Sequence, residues 1–325
     1  MRFYNIVVTQ KGATTPFFQL TSHPGGTFDP AAMNVEFDMP IAPYNVPTGA
    51  MALTIHGIPL VNISQAYKLV GMNIAVYGGM KQGLPLANPL QSGMLLQGQI
   101  WQAFGNWQGT DMRLDLIIYP PDHSNDLPGN FVLNWLPGQT LADTLKATLS
   151  IVYPNIPITM NIGSNLVFNS MKCHFCATLE QLAQYIGDLT EKVFQQRVTI
   201  TLQSGKFVIF DKTYKPAPIQ LVFTDLIGQP TWIATKTMQM KTVMRADLQI
   251  GSYITMPKGV QNGPGFVIAP SGAALSPDGA GIASTNKNQS TFQNNFMITS
   301  LRHIGDYRSA AGEDWATVFD CVEAG

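Results

Sequence analysis

Charge is what this sequence has least of. Asp, Glu, Lys and Arg make up 12% of its 325 residues, about half the ~25% of an ordinary soluble domain. Between Met39 and Thr110 the only charged side chains are Lys68 and Lys81. The formal net charge is −1, so there is no global basic field for nucleic acid and no acidic tail of the disordered kind. Cysteine is nearly absent. Three residues are too few for a disulfide framework, which predicts reduced thiols and folding in a cytoplasm. Long apolar runs are missing as well. Gly, Pro, Asn or Gln interrupts every apolar stretch before the ~18 residues that a membrane span needs, so no membrane anchoring is expected. The opening stretch MRFYNIVVTQ has neither the apolar core nor the small-residue cleavage site of a secretory signal.

What fills the space is amide and aliphatic. Apolar residues reach 45%, and Asn and Gln together number 41 against 39 charged residues. A monomer normally stays soluble with roughly 25–35% charged residues on its surface. A surface of amides, Met and aliphatics instead suits permanent contact with protein, because the centre of an interface is depleted in charge. Obligate assembly is therefore expected, in preference to a monomer kept soluble by amides.

The texture changes twice along the chain. Residues 1–122 read as β-rich: Ala52 to His56, Met72 to Val76 and Met112 to Ile118 are short strand-like runs, punctuated by Pro24-Gly25-Gly26, Pro47-Thr48-Gly49 and Gly78-Gly79. Such spacing argues for a barrel or sandwich. The polar, Pro-rich stretch PPDHSNDLPGN marks a boundary. Residues 123–213 then read as a smaller α+β domain. Thr140 with Asp143 starts one helix carrying Leu141, Leu145, Leu149 and Val152, ended by Pro154 and Pro157. Thr178 with Gln181 starts a second, with Leu179, Leu182, Ala183, Ile186, Leu189 and Val193 as its apolar stripe. Strand-like residues 158–176 lie between the helices, and strands near 197–203 and 206–211 flank Gln203-Ser204-Gly205. Residues 214–325 are β-rich again. Within them 259–295 is an almost uncharged loop of Gly, Ser, Asn, Pro and Ala. That length is uncommon for a loop in a compact domain and makes Phe266 and Phe292 candidate interface residues.

The two β-rich ends resemble each other. Val70-Gly71-Met72-Asn73-Ile74-Ala75-Val76 matches Ile250-Gly251-Ser252-Tyr253-Ile254-Thr255-Met256, and Phe104-Gly105-Asn106-Trp107 matches Ile304-Gly305-Asp306-Tyr307. Each is followed by a polar stretch and a strand, Met112 to Ile118 and Trp315 to Val322. The shared order predicts a duplicated module.

Few residues suggest chemistry. Cys173-His174-Phe175-Cys176 could begin a zinc site, but four ligands are needed, and the only other cysteine, Cys321, is far along the chain. The five histidines, His23, His56, His123, His174 and His303, form no HExxH pair. There is no GxSxG elbow and no GxxxxGK[ST] loop. The five glutamates, 36, 180, 191, 313 and 323, announce no glycosidase pair. Trp101, Phe104 and Trp107 lack the interleaved Lys and Arg of a base-stacking surface and read as core or interface anchors. No enzyme, cofactor or metal is expected. A cell-wall hydrolase acting at infection is the alternative from another class.

The C-terminal region carries a family resemblance. The segment Phe223-Thr224-Asp225-Leu226-Ile227-Gly228-Gln229-Pro230-Thr231-Trp232, then Met244-Arg245-Ala246-Asp247-Leu248-Gln249-Ile250-Gly251, then Ile298 to Arg308 with His303, Gly305 and Asp306, and finally Trp315, is similar to the second barrel of phage baseplate hub proteins. These are the central hubs of contractile tails, related to late control D proteins and to the hub part of type VI secretion spikes. The resemblance is firmest over about 215–325. It implies a mainly β fold in which two tandem tail-tube-like β-barrel domains flank the α+β insertion. It also implies a homotrimer that adapts a sixfold tail tube to a threefold spike around a central channel. The implied partners are further copies of the chain, the tube or tube-initiator protein, the spike and neighbouring baseplate proteins, with DNA only passing through. The implied location is the virion tail baseplate, assembled in the host cytoplasm. Any spike or cell-wall hydrolase is expected on a separate chain. A sixfold tail-tube or adaptor protein is the other alternative.

Overall fold

The computed structural model describes residues 1–44, 50–81, 91–119, 130–234, 236–257 and 295–324. The first strand set comprises β1 (Arg2–Thr9), β2 (Pro16–Thr21), β3 (Val35–Ile41), β4 (Met51–His56), β5 (Asn73–Met80), β6 (Gly93–Gln108) and β7 (Asp111–Tyr119). A short helix, α1 (Leu60–Ser64), precedes β5. The middle unit runs β8 (Phe131–Trp135), α2 (Leu141–Val152), β9 (Ile158–Asn161), β10 (Lys172–Cys176), α3 (Leu179–Phe194), β11 (Thr199–Gln203) and β12 (Lys206–Phe210). The second set comprises β13 (Ile219–Gln220), β14 (Thr231–Trp232), β15 (Thr237–Val243), β16 (Tyr253–Thr255), β17 (Asn295–Asp306) and β18 (Trp315–Glu323). The chain is thus mainly β with an α+β unit between two strand sets.

Period-two patterning builds the strands: Tyr4, Ile6 and Val8 of β1, and Leu114, Leu116 and Ile118 of β7, alternate inward with more exposed neighbours. The helices start where their caps are. The Asp143 N–H donates to Thr140 Oγ1 at 3.2 Å, and the Gln181 N–H to Thr178 Oγ1 at 3.3 Å. Of the expected α3 stripe, Leu179, Leu182, Ala183 and Ile186 are buried, whereas Val193 is exposed. Gly187 and Thr190 are buried in its stead, and Thr190 Oγ1 takes the Val198 N–H at 3.1 Å, which ties the helix to the residue just before β11.

Both strand sets belong to one thirteen-stranded sheet, ordered β14-β15-β18-β17-β3-β4-β7-β6-β5-β1-β2, with β16 on β17 and β13 on β16. Two separate closed barrels are not what the described strands form: their path is open, from β14 to β2. The edge of β3 that could close the first set is bound to β17, from Leu301↔Ile41 to Asp306↔Glu36.

The strand order is nevertheless duplicated. The sequence β3-β4-β7-β6-β5-β1 in the first set reappears as β14-β15-β18-β17-β16-β13 in the second. One orientation differs: β1 runs antiparallel to β5, whereas β13 runs parallel to β16. The bulges correspond too, between Ile100 and Gln102 against β7 and between Ile298 and Ser300 against β18. This register makes His303, and not Gly305, the counterpart of Gly105, so the aromatic–Gly match read from the sequence is two residues out of step.

Three cores follow. One lies under the first set, one under the second, and one between α2, α3 and the small sheets β8–β10 and β9–β12–β11. They exchange residues at their borders. Met244 and Trp315 pack in the first core, and Ile41, Val208 and Phe210 in the second.

Candidate functional site at the seam of the strand sets

The chain returns at β17 to the strands it left near its start, and polar residues gather at that seam. A single turn over Phe223–Asp225 is closed by the Asp225 carboxylate, whose Oδ2 accepts the Val222 N–H at 3.0 Å. The same oxygen takes Arg245 Nη1 at 2.7 Å, and Oδ1 takes Gln91 Nε2 at 3.1 Å. Arg245, just past β15, also makes a two-pronged pair with Asp247, Nε to Oδ1 at 2.9 Å and Nη2 to Oδ2 at 2.7 Å. The side chains of Arg245 and Asp225 are 4% and 5% exposed. Burial alone would pull the guanidinium's pKa down; Asp247 and Asp225 outweigh it and hold it above the ordinary arginine value.

A second layer lies beneath. The Arg245 N–H donates to Thr317 Oγ1 at 3.0 Å, and that hydroxyl also lies 3.0 Å from His303 Nδ1. His303 is buried, which depresses its pKa to about 3 and keeps the ring neutral. Trp315 Nε1 donates to the Gly79 carbonyl at 3.0 Å, and its ring meets Phe37 edge-on at 5.3 Å. Arg2 lies over the same indole at 5.9 Å and donates to the carbonyls of Asp306 and Ser309, each at 2.6 Å, and to that of Ala311. Gly305 is glycine for room, since a Cβ there would land on the Phe37 ring. Asp306 Oδ1 accepts the N–H groups of Arg308 and Ser309 at 3.1 and 3.2 Å, shaping the turn after β17. Outside, Arg302 Nε reaches Asp38 Oδ1 at 2.6 Å across the β17–β3 pairing.

The structure therefore brings together Asp225, Arg245, His303, Gly305, Asp306 and Trp315. Gly251 lies elsewhere, where the Phe210 ring of the middle unit approaches to 2.9 Å of where a Cβ would sit. Nearby, Gln203 and the Ile250 backbone exchange two hydrogen bonds, at 2.9 and 2.8 Å. Gly228, Pro230 and Trp232 form a third group at the β14 end of the sheet, with Gly228 at φ +79° and Trp232 edge-on to Phe296 at 6.3 Å. Phe266 and Phe292 lie outside the described residues. Sequence reasoning missed Gln91, Gly79, Arg2, Phe37 and Thr317. Their partners are far away along the chain, so no local spacing signals them.

Chemically the cluster is a clamp. Its carboxylates are engaged by guanidinium, amide and backbone donors, and breaking such a pair by removing one partner costs about 3–5 kcal/mol. Among the described residues no group of three or more His, Cys, Asp or Glu is placed to hold a metal. Cys173 is exposed, and Cys176 and Cys321 are buried. Burial pushes the Cys321 thiol up to about 12.

No family model matches the chain, and no curated protein sequence does. Solved structures do. A 43 kDa tail protein of prophage MuSo2 from Shewanella oneidensis matches with a TM-score of 0.53 at 9% identity, covering 100% of this chain and 99% of that one. The tail protein from Neisseria meningitidis MC58 matches at 0.49 and 10% identity, over 99% and 96% of the two chains. The E. coli c3393 protein, a type VI secretion component described as similar to T4 tail proteins gp27 and gp5, matches at 0.48 and 10% identity, over 90% and 73%. The structural neighbours are phage tail and tail-like proteins, and the fold is one this chain shares with the prophage tail protein along its whole length.

Proposed function

We propose that this chain is a structural protein of a phage tail, and within the tail a homotrimeric hub of the baseplate. The observation that carries the reading is the duplicated strand order within one polypeptide, β3-β4-β7-β6-β5-β1 and β14-β15-β18-β17-β16-β13. A chain with two similar modules lets three copies present six, so a sixfold tube can seat on one face and a threefold spike on the other. The seam supports this, because the Gln91 amide on the buried Asp225 and the Trp315 N–H on the Gly79 carbonyl tie one module to the other, and a symmetry adaptor needs that rigidity. The shared fold with a prophage tail protein supports the tail role. The low charge supports extensive burial against other copies, at obligate interfaces of about 2,000 Å² or more. Partners on this reading are the tube or its initiator, the spike and neighbouring baseplate proteins, with DNA passing through the bore. Its place is the virion tail baseplate, after assembly in the host cytoplasm. The role needs no catalysis, and clearing of cell walls by the purified protein in zymography would overturn that part. The deciding measurement is native mass spectrometry with negative-stain imaging. Three subunits in a ring with six lobes are expected. Six subunits would make it a tube or adaptor protein, and a strict monomer at micromolar concentration would sink the hub.

A further inference from the structure

Among the described strands one pairing, β17 on β3, joins the two modules, and that join can be copied onto the modules' outer ends. Beyond the bulge of β17, Leu301 to Gly305 pair with β18 on one edge, and Leu301 to Asp306 pair with β3 on the other. Aligning the two bulges makes Ala103–Gln108 of β6 the counterpart of that stretch. Those residues bond β7 on one edge. On the other, pairing with β5 ends at Gln99; among the described residues no strand takes over, while α1 and the single turn Ala66–Leu69 pack against β6, with Ile63 lying on Gly105. The counterpart of β3 is β14. Asp38 pairs with Ala52 as Thr231 pairs with Gln239, and Ala52 and Gln239 hold equivalent places against β7 and β18. Among the described residues β14 also ends the strand path.

We infer that the edge of β6 over Ala103–Gln108 docks the β14 end of a second copy of this chain, in the register that β3 keeps with β17. Because Arg302 faces Pro40, and Gly305 faces Phe37, the copied register sets Phe104 against Ile233 and Trp107 against Pro230. The side chains agree. Phe104, Trp107 and Ile233 are 48%, 61% and 52% exposed in the isolated chain, and the copied register gives Phe104 and Ile233 an apolar partner in each other. Residues 39–110, which contain this edge, carry only Lys68 and Lys81 as charges, so no like-charge repulsion opposes the approach. A strand edge that carries no charge and, among the described residues, pairs with no strand is otherwise an aggregation hazard that proteins cover or blunt. Head-to-tail repetition of the contact closes into a ring when its rotation permits. The inference rests on the ring-forming assembly proposed above and names the surface that builds it.

The test uses the full chain with Cys173→Ser, carrying Phe104→Cys together with Ile233→Cys. Directly opposed residues in a sheet place their Cβ atoms about 4.5–5.5 Å apart, within reach of mild oxidation or a short bis-maleimide. The double variant is expected to give covalent multimers on a denaturing gel, and neither single variant should. Sedimentation velocity on the same samples separates the two ideas. Assembly without cross-linking overturns this interface and leaves the ring standing; a monomer overturns both. Trp107→Lys changes one exposed side chain and serves where the cysteine pair does not fold. At least tenfold weaker association with an unchanged circular dichroism spectrum is expected, and unchanged association refutes the inference.

Discussion

Gly71 and Gly251 hold the same place in the two strand sets. Both have positive φ, +82° and +84°. The Gly71 N–H donates to the Ile100 carbonyl at 2.8 Å, and the Gly251 N–H to the Ile298 carbonyl at 2.9 Å. The next residue in each set then accepts a bond from the same isoleucine, Ile100 N–H to the Met72 carbonyl and Ile298 N–H to the Ser252 carbonyl, both at 2.9 Å. Each pair closes the ladder where the bulge begins.

Their surroundings differ, and so should their tolerance. Nothing lies within 4 Å of a Cβ at Gly71, whereas at Gly251 the Phe210 ring is 2.9 Å away. Gly71→Ala is expected to cost about 1–2 kcal/mol from the left-handed backbone alone. Gly251→Ala should add overpacking of about 1–3 kcal/mol. Urea unfolding followed by tryptophan fluorescence compares the two directly, and equal midpoints would refute the difference.

That contrast also marks what a sequence can carry. Gly71 and Gly251 were legible as a matched pair because both sit in the same short apolar frame, and the Thr140 and Thr178 caps were legible because their partners are three residues on. The Asp225–Arg245 clamp was only half legible: its residues stand in the family-like segments, but Gln91 approaches from 134 residues away and has no local signature. The offset between Gly105 and Gly305 is one of spacing: the bulges correspond, but Gly105 stands 5 residues past Ile100 and Gly305 stands 7 past Ile298, and only the strand pairing shows it. Trp315 reads as a residue of the second module, yet it is buried in the core of the first.

Removing the cation from the clamp should be worse than removing the whole pair. Arg245→Ala leaves Asp225 buried against an amide and one backbone N–H, and a loss of about 3–5 kcal/mol is expected. Arg245→Met combined with Asp225→Asn removes both charges while keeping volume, and should recover at least half of it. Guanidinium chloride midpoints for the single and double variants decide the matter; a double variant as unstable as Arg245→Ala would show that the charges are not what destabilises.

His303 should make the protein acid-sensitive. Burial lowers its folded pKa from 6.5 to about 3, so between those values the unfolded chain takes up a proton that the folded one refuses. Stability therefore falls as pH drops from about 6.5 towards 3, by up to about 1.4 kcal/mol per pH unit from this residue. The comparison with His303→Gln isolates the contribution, since other groups titrate in both proteins. Unfolding midpoints from pH 7 to pH 4 should decline less steeply in the variant, and parallel curves would rule the mechanism out.

The seam itself depends on one missing methyl group. Gly305 pairs with Phe37 across β17 and β3, and a Cβ there would occupy the space of the Phe37 ring. The φ of Gly305 is not in the left-handed region, so the requirement is steric and belongs to the pair. Gly305→Ala is expected to destabilise by about 1–3 kcal/mol. Phe37→Leu should cost about 1–2 kcal/mol on its own by leaving a cavity beside Trp315. Together they should cost less than their sum by about 1 kcal/mol, because the smaller side chain makes room for the methyl; additivity within about 0.5 kcal/mol would mean that the two do not communicate. A backbone origin for the glycine predicts no such rescue, so the cycle distinguishes a seam fixed by packing from one fixed by chain conformation.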